Sequence, residues 1–315
     1  GGRRIIKKKN NTDYSSRFGT TGSQAFNIDT NSVNVTFASV IASASGTLTK
    51  SGSGILTLSG TNTYSGITTI SGGTLSIGAD ANLGTAPGSA VTNSITFSGG
   101  ELLATASFTL NSNRGMRLSG TGKLSADAST TLTYGGIIYD GGTLTIGSTA
   151  KTGTVLLSGL NTYTGTTTVS SGTLSLGASD VISNSSALVV NGGTFAMGAN
   201  SDTVASVSFG ANGGSITSST GVLTGSSYTF NNTTTATVSA ILAGAVNLEQ
   251  VGTGTTTLSA INAYTGTTTL TGGVLAISVD RNLGAVPGTA TAGSIIFNGG
   301  TLKATETFTL NAARG

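Results

Sequence analysis

Apolar residues alternate with Thr, Ser or Asn over short runs through most of the chain, as in ILTL at 55–58, TTI at 68–70, TLSI at 74–77 and FTL at 108–110. An alternation of period two sends successive side chains to opposite faces of a β-strand, so each run has one face suited to a core. The runs are divided by Gly-bearing or Asn-bearing turns. No segment sustains an apolar stripe at helical spacing, and the pattern predicts an all-β chain.

The pattern also repeats. LSGTNTYSGITTISGGTLSIG, from Leu58 to Gly78, returns as LSGLNTYTGTTTVSSGTLSLG from Leu157 to Gly177 and as LSAINAYTGTTTLTGGVLAIS from Leu258 to Ser278. At longer range, residues 31–115 align with 231–315 at a constant shift of 200, and more than half of the positions in 51–115 are unchanged at 251–315. Phe97 and Phe108 come back as Phe297 and Phe308. Short strands could build a sandwich or an up-and-down barrel. Serial long-range repetition, strands grouped between SGG or NGG corners, and few Asn-Gly hairpin turns favour a parallel β-solenoid. The NGG triplets at 191–193 and 298–300 are the places where a tight hairpin could interrupt it. Coils of roughly 20 to 27 residues predict roughly a dozen coils stacked at ~4.8 Å. Residues 1–30 read as a basic lead-in or cap, and 31–315 as one solenoid made of arrays 31–115, 116–230 (divergent) and 231–315.

Composition sharpens this picture. Of 315 residues 37% are hydrophobic, enough at strand spacing to bury a continuous core, which separates the chain from a disordered Gly/Ser linker. The formal charge of +3 is local: Arg3, Arg4, Lys7, Lys8 and Lys9 supply five of the 14 basic residues. A solvated tail or end-cap strand is the reading of that arm, and no nucleic-acid partner is predicted. No apolar run is long enough for a membrane span.

The absence of His and Cys excludes Ser-His-Asp and Cys-His catalysis and His or Cys zinc sites. Carboxylate chemistry on a polysaccharide remains open, since it needs only two acids at close separation. Asp80, Asp180 and Asp280 hold equivalent places, but several coils apart, and Glu101, Asp127 and Asp140 are single. No catalytic residue, metal ligand or cofactor is predicted, and the equivalent aspartates read as acceptors for strand-end amides.

The recurring pattern G-x-L-x-L-S-G-x-N-x-Y-x-G-x-T-x-x-x-G-x-L resembles the passenger-associated transport repeat, the autotransporter-associated β-strand repeat of type V secretion passengers. The matching segments lie near 46–78, 145–177 and 246–278. The resemblance implies a right-handed parallel β-helix exported to the bacterial cell surface or beyond it. Neither a signal sequence nor a C-terminal barrel stands in the sequence, and Gly315 is the counterpart of mid-array Gly115, so a segment of a longer passenger is expected.

Within this frame Asn62, Tyr64, Asn161, Tyr163, Asn262 and Tyr264 read as one structural corner met three times, with a sugar-stacking tyrosine as the rival reading. The irregular loops 79–93 and 279–293, with Asp80, Asn82, Pro87, Asp280, Asn282 and Pro287, are the expected places for binding. The functional expectation is a non-enzymatic stalk or fibre segment of an adhesin-like passenger, self-associating end to end. Its outside partners would be a surface polysaccharide or another cell's surface. A polysaccharide-processing enzyme, or a carbohydrate-binding module with Tyr64 and its counterparts exposed, is the alternative.

Overall fold

The computed structural model describes residues 3–5 and 11–315. Lys7, Lys8 and Lys9 of the basic lead-in lie outside the described residues. All regular structure is β except three short 3₁₀ turns at Ser15–Arg17, Asp80–Leu83 and Asp280–Leu283, and every strand ladder given for the described residues is parallel. The chain is a parallel β-solenoid of about 12 turns. No described helix is long and apolar enough to cross a membrane.

Two compact units divide the chain, Gly1–Gly165 and Thr166–Gly315. In the first unit, one sheet stacks Arg3–Ile5, Ala25–Asp29, Thr47–Ser51, Thr68–Ile70, Val91–Phe97, Arg114–Leu118 and Ile138–Tyr139 in that order. A second face runs from Val35–Phe37 through Ile55–Leu58, Thr74–Ile77 and Glu101–Ala104 to Gly122–Ala126 and Leu144–Ile146. Phe108–Leu110, Thr131–Tyr134 and Thr154–Leu157 form a third. In the second unit, Thr167–Val169, Leu188–Val190, Val207–Phe209, Tyr228–Phe230, Leu248–Gln250, Thr268–Leu270 and Ile295–Phe297 stack in order on one face.

Alternation produces this stacking directly. In Thr68–Ile70 the outer residues are buried and Thr69 is half-buried, so one parity feeds the core and the other meets solvent. Parallel register then lays like on like: Leu56, Leu75, Leu102, Leu124 and Ile146 follow one another across adjoining strands of the first unit. Val190, Phe209, Phe230, Gln250 and Leu270 do so in the second. Burying each such Leu, Ile, Val or Phe contributes about 1.5–3 kcal/mol.

The coil length is set by what joins the strands. Leu48 pairs with Thr68, 20 residues on, whereas Thr68 pairs with Ile95, 27 residues on, because that coil also holds the Pro87 loop. The NGG triplets are corners and not hairpins. Asn191–Gly193 connects Leu188–Val190 to Thr194–Ala196, strands of different sheets, with Gly192 at φ +110. Gly299, at φ +108, has the same role after Ile295–Phe297.

The copies differ in how far equivalent core residues are covered: Leu110 is fully buried and Leu310 is 43% exposed. Phe97 is fully buried with Leu118 as its neighbour on the next strand, while Phe297 is 62% exposed and its given strand neighbour is Leu270.

Candidate functional site

The repeated corner is built on asparagine because two coils must be bonded at once. Asn62 Oδ1 accepts from the Ile41 N–H at 2.7 Å, and its Nδ2 donates to the Asn82 carbonyl at 2.6 Å. One side chain with a donor and an acceptor therefore clamps the coil before and the coil after. Tyr64, two residues later in the same corner, points inward and is fully buried. Its hydroxyl lies 2.9 Å from Thr68 Oγ1, and burial pushes the phenol up to about 12.

Asn82 closes the adjoining turn: Oδ1 accepts from the Gly78 and Ala79 amides at 2.9 Å, and Nδ2 donates to the Gly60 carbonyl at 3.0 Å. Gly84 follows at φ +76, where a Cβ would fall on the Tyr64 carbonyl, so the chain passes there only as glycine. Asp80 faces Arg114, a residue only 4% exposed. Arg114 Nε donates to Asp80 Oδ1 at 2.8 Å, Nη1 to the Leu83 carbonyl at 2.9 Å and Nη2 to the Gly84 carbonyl at 2.6 Å. The Asn111 amide donates to the same Asp80 oxygen at 2.9 Å.

The cluster recurs in the second unit. Asn262 accepts from the Leu242 amide and donates to the Asn282 carbonyl at 2.6 Å, and Tyr264 meets Thr268 at 2.8 Å. Burial raises the Tyr264 phenol. Arg314 bonds Asp280 at 2.9 Å and the Leu283 and Gly284 carbonyls at 2.9 and 2.8 Å. In the middle copy Asn161 Oδ1 accepts from the Ile138 amide at 2.7 Å and Tyr163 is fully buried. Asp180 is exposed there, at φ +55, and the residue 34 positions on is Gly214 where the other copies have Arg114 and Arg314.

The structure thus turns Asn62, Tyr64, Asn161, Tyr163, Asn262 and Tyr264 inward, and none of these tyrosines offers a ring face to a sugar. Asp80, Asn82, Asp280 and Asn282 bond back onto the body, and Pro87 and Pro287 are half-buried. Pro87 accepts from Asn113 Nδ2 at 2.9 Å and edges a cavity of 340 Å³ with Gly66 and Val91. Sequence reasoning missed Arg114 and Arg314. Their signal was present, since they are the arginines that keep register between the two arrays.

Three further buried polar residues stand in the body, Lys50, Gln250 and Asp202. Lys50 is 0% exposed and directs its ammonium at the Ser51, Gly52 and Gly72 carbonyls, at 2.8–2.9 Å; burial lowers its pKa to about 8 against the pull of Asp29. Its counterpart Gln250 bonds only the Gly252 carbonyl through Nε2, and Oε1 is left without a partner. Asp202 is 1% exposed, and burial raises its pKa to about 7, with the charge of Asp180 adding to the shift.

Carboxylate chemistry needs an acid that reaches a substrate. Asp202 does not: Oδ2 accepts from the Val181 and Ile182 amides at 3.0 Å inside the body. Glu101 accepts from Thr74 and Ser148, Asp127 pairs with Lys151 at 2.5 Å, and Asp140 pairs with Arg117 at 2.7 Å. That last pair is half-exposed, and the Arg117 hydrogen bond holds the Asp140 carboxyl below its usual value. Among the described residues no three acidic, His or Cys side chains gather as a metal site.

Against this geometry, the family model described as the passenger-associated transport repeat matches residues 48–77, 152–176 and 248–277. Each match contains the corner asparagine and the inward tyrosine. The chain carries three passenger-associated transport repeats. These repeats mark an autotransporter passenger segment, one that is extracellular or held at the cell surface. A curated relative, the adhesin BmaC autotransporter of Brucella suis biovar 1 (strain 1330), is 37% identical over 78 residues. The alignment covers 25% of this chain and 2% of that protein's length. No solved structure matches the chain.

Proposed function

We propose that this chain is a non-catalytic stalk segment of an adhesin-like passenger, which holds another part of its parent protein away from the cell surface. The observation that carries the reading is the three-fold transport repeat, in which the signature Asn and Tyr are spent on joining coils and filling the core. A motif used in this way supplies regular stacking, and regular stacking is the property a spacer needs. Asp80, Glu101, Asp127 and Asp140 are engaged with amides, hydroxyls or cations of their own, which supports the non-enzymatic side of the proposal. The named function of the relative, an adhesin, is the source of the adhesive part.

The test is display of the parent protein on cells with an epitope at its distal end. Removing one array should bring the epitope measurably closer to the cell surface by immuno-electron microscopy, with surface delivery retained. An unchanged epitope distance, or release of reducing ends from a polysaccharide panel by the purified chain, would overturn the reading.

A further inference from the structure

The first unit carries a concavity that the transport repeats do not use. It encloses about 520 Å³, within the range of small-ligand sites, and opens where Val91–Phe97 meets Arg114–Leu118 and Ile138–Tyr139. A bulge creates it. Val91 pairs with Arg114 and Ile95 with Met116, so four residues of one strand face two of the other and the sheet surface is drawn away. The floor is bare backbone: at Gly136 a Cβ would meet the Tyr134 hydroxyl and the Ser112 carbonyl, and at Gly115 it would meet the Val91 carbonyl.

The lining has two chemistries. Val91 and Ile137, 39% and 51% exposed, flank Tyr139, whose ring is half-exposed. Five of the seven tyrosines are fully buried, and Tyr139 is in contrast available at the surface, its hydroxyl without an internal hydrogen bond among the described residues. Around this apolar patch stand the hydroxyls and amide of Thr92, Ser112 and Asn113. Asn113 is held in place, donating Nδ2 to the Pro87 carbonyl while its own carbonyl accepts from the Val91 amide. No charged side chain lines the cavity, and the nearby Arg117 is closed off by Asp140.

The second array provides an internal comparison. One pairing of the bulge recurs there, with Thr291 bridged to Arg314 as Val91 is to Arg114. Yet Thr92, Ser112 and Asn113 become Ala292, Ala312 and Ala313. That pairing therefore forms without the polar rim, and the rim's presence in the first unit calls for another reason.

The geometry points to a binding site for a neutral saccharide, with Tyr139 as the stacking platform and Thr92, Ser112 and Asn113 as hydrogen-bonding partners. A sugar ring has an apolar C–H face and a hydroxylated edge, which are the two surfaces this cavity presents. The apolar patch with an amide and hydroxyl rim favours it over a wholly apolar ligand, and the uncharged lining favours it over an acidic one. Tyr139 acts by contact with the ligand and no covalent step is involved.

Saturation-transfer NMR of the full chain with maltotetraose, cellotetraose, laminaritetraose and chitotetraose tests this, with tetragalacturonate as the anionic comparison. At least one neutral tetrasaccharide is expected to bind and to shift the Tyr139 ring resonances. Tyr139→Ala should weaken that binding about tenfold or more. The triple change Thr92→Ala, Ser112→Ala and Asn113→Ala, which copies the second array, should do the same while the variant still unfolds cooperatively. Tyr14→Ala should leave binding as it was. Failure of all four neutral sugars to bind at millimolar concentration, preference for tetragalacturonate, or binding that survives both the Tyr139 and the triple changes would overturn the proposal.

Discussion

Asp202 stands where the other corners have an amide. Asn62, Asn161 and Asn262 accept from the preceding coil through Oδ1, and Asn62 and Asn262 also donate onward through Nδ2. Asp202 keeps the first half of this role, receiving the Val181 and Ile182 amides, but its Oδ1 is buried with no partner. Burial raises its pKa from the ordinary 3.8 to about 7. Between those values the folded chain holds a proton that the unfolded chain has lost, so folding stability falls as pH rises through this window. The loss is on the order of a few kcal/mol and is complete above about pH 7. Asp202→Asn removes the ionisation and should flatten the slope. Urea unfolding at pH 5 and pH 8 is expected to show a larger drop for the parent than for the variant. Equal drops would mean that Asp202 is not the group responsible.

At the scale of elements, the 3₁₀ turn Asp80–Leu83 and the loop after it are held by one distant side chain. Arg114 joins the Asp80 carboxylate to the Leu83 and Gly84 carbonyls from 34 residues downstream, while nearly wholly buried. Arg114→Ala would leave a carboxylate and two carbonyls without their cation, and breaking a buried pair in this way costs about 3–5 kcal/mol. Arg114→Lys should recover little, because an ammonium cannot reproduce the planar fork. Hydrogen exchange over 79–93 should accelerate in both variants, and unchanged protection there would refute the role. Strands and corners were legible beforehand because a half-buried strand writes its burial as alternation. Even Lys50 obeys the rule: it shares parity with Leu48 and is inside, its charge met by three backbone carbonyls. The Asp80 side chain looked available because its partners Asn111 and Arg114 are remote in sequence, and alternation carries no information about a contact between coils. The NGG corners were ambiguous because a glycine at positive φ serves a hairpin and a solenoid corner equally well.

For the molecule as a whole, the uncovered strand Ile295–Phe297 matters most in the isolated 315-residue chain. Among the described residues it pairs with Thr268–Leu270. Ile296 and Phe297 are 41% and 62% exposed, whereas Phe97 at the equivalent place is fully covered. A strand edge with free backbone groups beside exposed apolar side chains is a template for another strand. We propose that copies of this chain associate through that edge, so sedimentation velocity should show the average mass rising with concentration. Ile296→Lys with Phe297→Lys places two charges on the edge and should return the protein to monomer with little change in melting temperature, since neither side chain is buried. Leu160→Lys, which charges a residue 63% exposed in the first unit, is the comparison that separates edge pairing from general surface stickiness. Edge pairing leaves the Leu160 variant as associated as the parent. A parent that stays monomeric at high concentration, or a Leu160 variant that dissociates as completely as the double-lysine one, would remove the edge from the account. Dissociation of the Leu160 variant would instead leave the side walls, with their exposed Val40 and Leu160 positions, as the surface through which copies meet.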